Sequence, residues 1–215
     1  MKIDDAYSRW AASYDSDRNL TRDLDRAVTT ALWGGRHGGR IVEAGCGTGK
    51  NTEFFAAVGE AVLALDFSPG MLARARQRVQ AEHVRFEVAN LELPWPCEGA
   101  WANLVSFNLV LEHIEALEPV FREAARVLAP GGRVFVSELH PFRQYQGSQA
   151  HFVDQNGSAT PITAFCHHLS DFLRAARAAR LELEQVDEHW HAEDQGKPPR
   201  LLTLLFCQPE RSAET

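Results

Sequence analysis

Short apolar runs that alternate with helical segments constrain this chain more than any other feature. Residues 40–45 (RIVEAG), 61–67 (AVLALDF), 84–89 (VRFEVA), 102–109 (ANLVSFNL) and 133–139 (RVFVSEL) are rich in Val, Leu and Phe. They have the length and continuous apolar character of strands buried on both faces. Between them, residues 50–58, 69–81 and 117–129 carry helical patterns, the last closed by Pro-Gly-Gly at 130–132. This order builds βαβ units, and therefore an α/β, doubly wound, mostly parallel sheet with helices on both faces. The last third departs from it. Residues 141–163 are polar and irregular, and 169–180 reads as a helix with Ser170 as N-cap. "LELEQVDEHW" and "LLTLLFCQ" follow with no helix between them, which predicts an antiparallel hairpin at the sheet edge. Residues 3–33 read as helical and carry Tyr7, Trp10, Tyr14 and Trp33.

No internal repeat or domain boundary interrupts the 215 residues, a length that buries a real core in one domain. The expected division is a helical lid over 1–35, a core over 36–140, an insertion over 141–168, and a helix and hairpin over 169–215. The net charge of −7 disfavours nonspecific contact with phosphate backbones, so no nucleic acid is expected as partner. The N-terminus has acids and no apolar core, which does not read as a signal peptide, and no apolar run approaches bilayer length. The four cysteines (Cys46, Cys97, Cys166, Cys207) form no CxxC pair and read as reduced thiols, so a cytoplasmic protein is expected, with no membrane partner and no metal framework.

The loop "VEAGCGTGKN" between the first strand and first core helix is built to grip a ligand. It is not a phosphate loop of the Walker type: three residues, not four, separate Gly45 from Gly49, and Asn51 follows Lys50. A dinucleotide fingerprint needs a third glycine where Lys50 stands. The second strand ends in "ALDFSPGML" and so places Asp66 at its carboxyl end, beside the loop. Ligands of doubly wound sheets lie there, and a carboxylate accepts hydrogen bonds from both hydroxyls of a ribose.

Together "EAGCGTG", "LDFSPGML", "VANLELPW", "FNLVLEHI" and "FREAARVLAPGGRVFVSELHP" resemble the class I S-adenosylmethionine-dependent methyltransferases, in particular the small-molecule group related to the ubiquinone/menaquinone-biosynthesis enzymes. The resemblance covers roughly residues 7–140 and implies a Rossmann-like seven-stranded sheet with a C-terminal antiparallel hairpin. It implies S-adenosylmethionine as cofactor and S-adenosylhomocysteine as product. Glu43 and the Gly45–Cys46–Gly47 backbone would meet the methionyl part, and Asp66 the ribose. Phe67 and Met71 would pack on adenine, Asn90 would meet the adenine amino group where the family usually has an acid, and Leu91 would offer its N–H. Asn108 would sit near the sulfonium. Tyr7, Trp10 and Tyr14 follow helical spacing that core packing of an amphipathic helix alone explains; the pattern Tyr7, Ala11, Tyr14, Asp15 matches the family's N-terminal segment and favours an aromatic lid instead, with Tyr14 on the cofactor side and Tyr7 and Trp10 over the substrate.

Methyl transfer is a single displacement at an activated carbon, so the protein must align two groups and, for an O–H or N–H acceptor, remove a proton. His113 follows the fourth strand and His140 ends the fifth, which makes both candidate bases; each could instead make only structural hydrogen bonds. His168, in "CHHLS", is a candidate for the substrate pocket. His189 and His191 share a strand face, yet spacing places no third ligand, so no metal is expected. Arg174, Arg177 and Arg180 read as a solvated helix face. The Asp/Asn-Pro-Pro-aromatic signature of DNA amino-methylating enzymes is missing after the fourth strand, and Pro96-Cys97 precedes that strand rather than following it. The expected activity is methylation of O, N or C on a small molecule by a monomer or homodimer. A cofactor-binding partner without catalysis is the alternative.

Overall fold

The computed structural model describes residues 18–35, 39–148, 151–153, 159–161 and 163–209. Tyr7, Trp10 and Tyr14 lie outside the described residues. The elements run α1 (Leu20–Trp33), β1 (Gly39–Ala44), α2 (Lys50–Val58), β2 (Gly59–Asp66), α3 (Pro69–Arg78), β3 (Val84–Val88) and β4 (Ala102–Asn108). A short 3-10 turn (Leu111–His113) leads to α4 (Leu117–Val127), β5 (Leu128–Leu139), α5 (Pro141–Tyr145), β6 (His151–Val153), β7 (Ala159–Pro161), α6 (Leu169–Ala178), β8 (Glu182–His189) and β9 (Leu201–Cys207).

Seven strands form one sheet in the order β3-β2-β1-β4-β5-β9-β8. β1 to β5 are parallel, and β9 runs antiparallel to both β5 and β8. The order reverses between β1 and β4, and the ligand crevice of such a sheet opens at that point. Central strands are buried on both faces: Ile41, Val42 and Ala44 of β1 and Leu104, Val105 and Phe107 of β4 are closed from solvent. On one face α4 buries Leu117, Val120, Phe121, Ala124 and Val127, a stripe of helical period, and Phe121 stacks on Phe107 at 6.0 Å. On the other, Trp33 of α1 meets Phe135 edge-on at 6.2 Å beside Ile41 and Phe55.

Local chemistry moves several boundaries. α3 stops at Arg78 rather than 81, because Val79 turns its buried side chain inward and Val84 N–H closes a turn on the Ala81 carbonyl. α4 stops at Val127, and Pro-Gly-Gly opens β5 instead of closing the helix; Gly131 takes φ +72 there. The N-cap of α6 is His168, not Ser170, since Asp171 three residues on accepts the His168 N–H at 2.9 Å. The segment expected to be irregular holds α5, started by Pro141 at its first turn, and the β6–β7 pair. Asp194, closed from solvent, clamps Arg200 through both oxygens at 2.6 and 2.7 Å and meets buried Arg143 at 2.8 Å. Among the described residues no helix is long and apolar enough to cross a membrane.

Candidate functional site

The glycine loop is shaped by its neighbours. Gly45 has φ +84, and a Cβ there would lie 2.3 Å from the Val110 side chain; its N–H and that of Cys46 close on the Leu65 carbonyl at 2.8 and 2.9 Å. Replacing Gly45 with Ala therefore forces both a left-handed backbone and displacement of Val110. We expect about 1–3 kcal/mol of lost stability by urea denaturation, together with weaker ligand binding. Gly49, also left-handed, is the N-cap of α2.

Asp66 ties the loop to the next strand. Its Oδ2 accepts the Gly47 N–H at 2.9 Å and its Oδ1 the Ser68 N–H at 2.8 Å. Burial pushes its pKa up to about 6, opposed by those two N–H groups. Glu43 lies deeper: the Thr52 hydroxyl donates to it at 2.5 Å, and burial, with Asp25 and Asp66 nearby, pushes its pKa up to about 8.

A polar network joins α1 to this floor. Asn108 donates to Asp25 at 2.7 Å and to Thr29 at 3.0 Å, while Asn51 donates to the other Asp25 oxygen at 2.9 Å. Burial raises the Asp25 pKa against the hydrogen bonds from Asn108 and Asn51. Sequence reading passed over Asp25, yet a signal existed. Arg22, Asp25 and Thr29 share the buried stripe of α1 with Trp33, and polar residues on an inward face need partners.

The fourth wall is the turn after β4. Leu109, a non-glycine at φ +54, donates its N–H to Ser137, and the N–H groups of Val110 and Leu111 both reach Glu138 Oε1 at 2.9 and 2.8 Å. Burial, with Glu112 adding, pushes Glu138 up to about 8. His113 ends the turn. Its Nδ1 lies 3.2 Å from the Thr163 carbonyl, which can only accept, so Nδ1 carries the proton and Nε2 is the basic nitrogen, 3.9 Å from Glu112.

One pocket brings together Glu43, Gly45, Cys46, Gly47, Asp66, Phe67, Met71, Asn108 and His113, with Arg22, Asp25 and Arg26 of α1 as a further wall. It is narrow, about 80 Å³. Four expected residues are not among those lining it, although the end of β3 before Asn90 runs beside Asp66, where Ala89 N–H donates to the Asp66 carbonyl at 2.9 Å. Asn90 is exposed and its side-chain oxygen accepts the Glu92 N–H at 3.0 Å, an Asx turn that commits the acceptor meant for a base. Leu91 is buried, and its carbonyl accepts the Trp95 indole N–H at 3.1 Å. His140 is buried with both nitrogens engaged: Nδ1 accepts the Phe142 N–H, so Nε2 donates to Glu188 at 3.0 Å. His168 stacks on Tyr145 at 5.5 Å in a separate cleft with His140. His189 bonds the Thr203 hydroxyl, and among the described residues no three candidate metal ligands converge.

A family model described as "Methyltransferase domain" matches residues 42–136. An uncharacterized methyltransferase of Emericella nidulans is 33% identical, with 94% of this chain and 83% of that protein covered. A malonyl-[acyl-carrier protein] O-methyltransferase of Yersinia pestis is 32% identical over 78% of this chain, and the chain spans 58% of its length. Among solved structures, the N-methyltransferase NodS of Bradyrhizobium japonicum, in complex with S-adenosylhomocysteine, superposes with a TM-score of 0.72 at 16% identity, covering 98% of this chain and all of that one.

Proposed function

The chain belongs to the S-adenosylmethionine-dependent methyltransferases, and on that premise we propose that it methylates a small-molecule acceptor with His113 as general base. One observation carries this reading: Asp66, the Gly45–Gly47 loop and His113 line a single pocket at the carboxyl edge of the sheet. The residues suit the cofactor. A Cβ on Gly47 would meet nothing within 4 Å, so the loop backbone stands open to a ligand there, and a buried carboxylate stands at the end of β2 for a diol. Two further acids, Asp25 and Glu43, line the pocket, and a cation there lowers the energy needed to ionise them. When bound, S-adenosylmethionine supplies a methyl group on a sulfonium, already activated toward a nucleophile.

The protein's part is then alignment and proton removal. The Thr163 carbonyl fixes the His113 ring by its Nδ1–H, and in this reading Nε2, the basic nitrogen of that tautomer, takes the proton of an acceptor O–H or N–H. Glu112, 3.9 Å from that nitrogen, favours the imidazolium that forms. His140 lacks a lone pair for this task, since its Nδ1 is occupied and its Nε2 holds a proton. The net charge of −7 and the narrow pocket support a small acceptor over a nucleic acid.

The test pairs turnover with binding. With an acceptor found by screening phenols, amines and carboxylates, His113→Ala lowers kcat by about 10²- to 10⁴-fold while S-adenosylhomocysteine affinity stays near wild type. With an acceptor that carries no cationic group, His140→Ala keeps kcat within about tenfold of wild type. Wild-type turnover by His113→Ala removes it as the base.

A further inference from the structure

Five of the eight exposed large apolar side chains among the described residues line one cleft, so they form a patch rather than a scatter. The cleft, about 620 Å³, lies between α5, the start of α6 and one face of β8. Pairing of Leu139 and His189 with Leu201 sets it at the same edge of the sheet as the pocket. α5 stands between the two: Tyr145 faces the cleft, while Gln144 reaches Glu112, the neighbour of His113, at 3.3 Å.

Three aromatic rings stand open there and are held in place. Phe142 stacks on His140 at 5.2 Å, Tyr145 stacks on His168, and the Trp190 indole N–H donates to the Lys197 carbonyl at 3.0 Å. Alternation along β8 puts Val186 and Glu188 on one face, with Leu202 paired opposite Glu188, and Trp190, just past the strand, lines the same cleft. Glu188 thus brings a carboxylate among the rings, and its hydrogen bond from the His140 Nε2–H sets its orientation. Asp187 reaches the rim. Among the described residues no lysine or arginine lines the cleft. Ring faces are negative, and with a carboxylate and no resident cation they attract a positive charge borne on an apolar body.

We propose that this cleft binds a small organic cation, an alkyl- or arylammonium whose charged end meets Glu188 between Phe142, Tyr145 and Trp190. In transfer this is the charged end of the acceptor, a use that rests on the methyltransferase reading; the binding does not.

Choline and its uncharged shape match 3,3-dimethylbutan-1-ol separate charge from shape, titrated by NMR or calorimetry against the full chain. Choline binds, and the alcohol binds at least about tenfold more weakly. Trp190→Ala and Glu188→Gln each weaken choline about fivefold or more; the glutamine oxygen still accepts from His140, so only the charge is lost. Both variants keep S-adenosylhomocysteine affinity, whereas Asp66→Ala loses it and keeps choline, so failure of the cofactor reading is seen separately. Equal binding of the two probes, binding of neither, or choline affinity unchanged in both variants overturns the proposal.

Discussion

Asp66→Ala abolishes the thermal stabilisation that S-adenosylhomocysteine gives the wild-type chain. Ligand at about a hundredfold its Kd adds roughly 2.7 kcal/mol to the folded state, on the order of 5–10 °C for a chain this size. In the variant we expect almost none of that shift. Asp66 acts twice: it presents a carboxylate at the end of β2, and it holds Gly47 N–H and Ser68 N–H. Alanine removes the acceptor and leaves both donors to find others, which costs the unliganded protein about 1–3 kcal/mol as well. Asp66→Asn separates the effects, because an amide oxygen still accepts one N–H while the charge is gone. The pKa near 6 adds a pH signature. A diol donates to the ionised carboxylate, so wild-type affinity falls about tenfold per pH unit below 6 and is flat above it. Calorimetric titration across pH 5–8 reads this directly. Retention of the full shift by Asp66→Ala would remove it from the cofactor site.

The sheet and the loop are legible in the sequence because their signals are local. A buried parallel strand is an apolar run wherever it stands, and Asp66 at a strand end beside a glycine loop is a pattern of adjacent residues. The rest depends on partners far along the chain. Asp25 joins Asn51 and Asn108, 26 and 83 residues away, and no local pattern predicts such a network. Leu109 adopts a left-handed backbone that its residue type disfavours, held through Ser137 and a turn anchored by Glu138 on another strand. Tyr7, Trp10 and Tyr14 lie outside the described residues; α1, capped by Asn19, meets the pocket through Arg22, Asp25 and Arg26. His140 looked like a base by position. The Phe142 N–H, two residues on, takes up its lone pair, and only coordinates show that.

The buried acids make the cofactor-free chain lose stability as the pH rises. Glu43 and Glu138 are both pushed by burial from 4.5 up to about 8. Between those limits the folded chain keeps protons that the unfolded chain has released, so raising the pH favours unfolding by about 1.4 kcal/mol per unit for each group. From pH 5 to 8 that is up to roughly 4 kcal/mol per carboxyl, against a total of about 5–15 kcal/mol for a domain. Asp194 acts in the opposite sense: the guanidinium of Arg200 holds its carboxyl far below the usual carboxylate range, so its contribution is present at neutral pH and lost on strong acidification. The stability maximum therefore lies on the mildly acidic side of neutral. Urea denaturation at pH 5.5, 7 and 8.5 measures it, and Glu43→Gln with Glu138→Gln flattens the slope. Glutamine at 43 still accepts from Thr52, and at 138 its carbonyl still accepts from Val110 and Leu111. A cation beside Glu43, which lines the pocket, lowers the energy needed to ionise it. S-adenosylmethionine should thus stabilise the chain more at pH 8.5 than at pH 6, and by a wider margin than its uncharged-sulfur product. An equal shift at both pH values, or the wild-type slope surviving in the double variant, would show that these two acids do not carry the proton linkage.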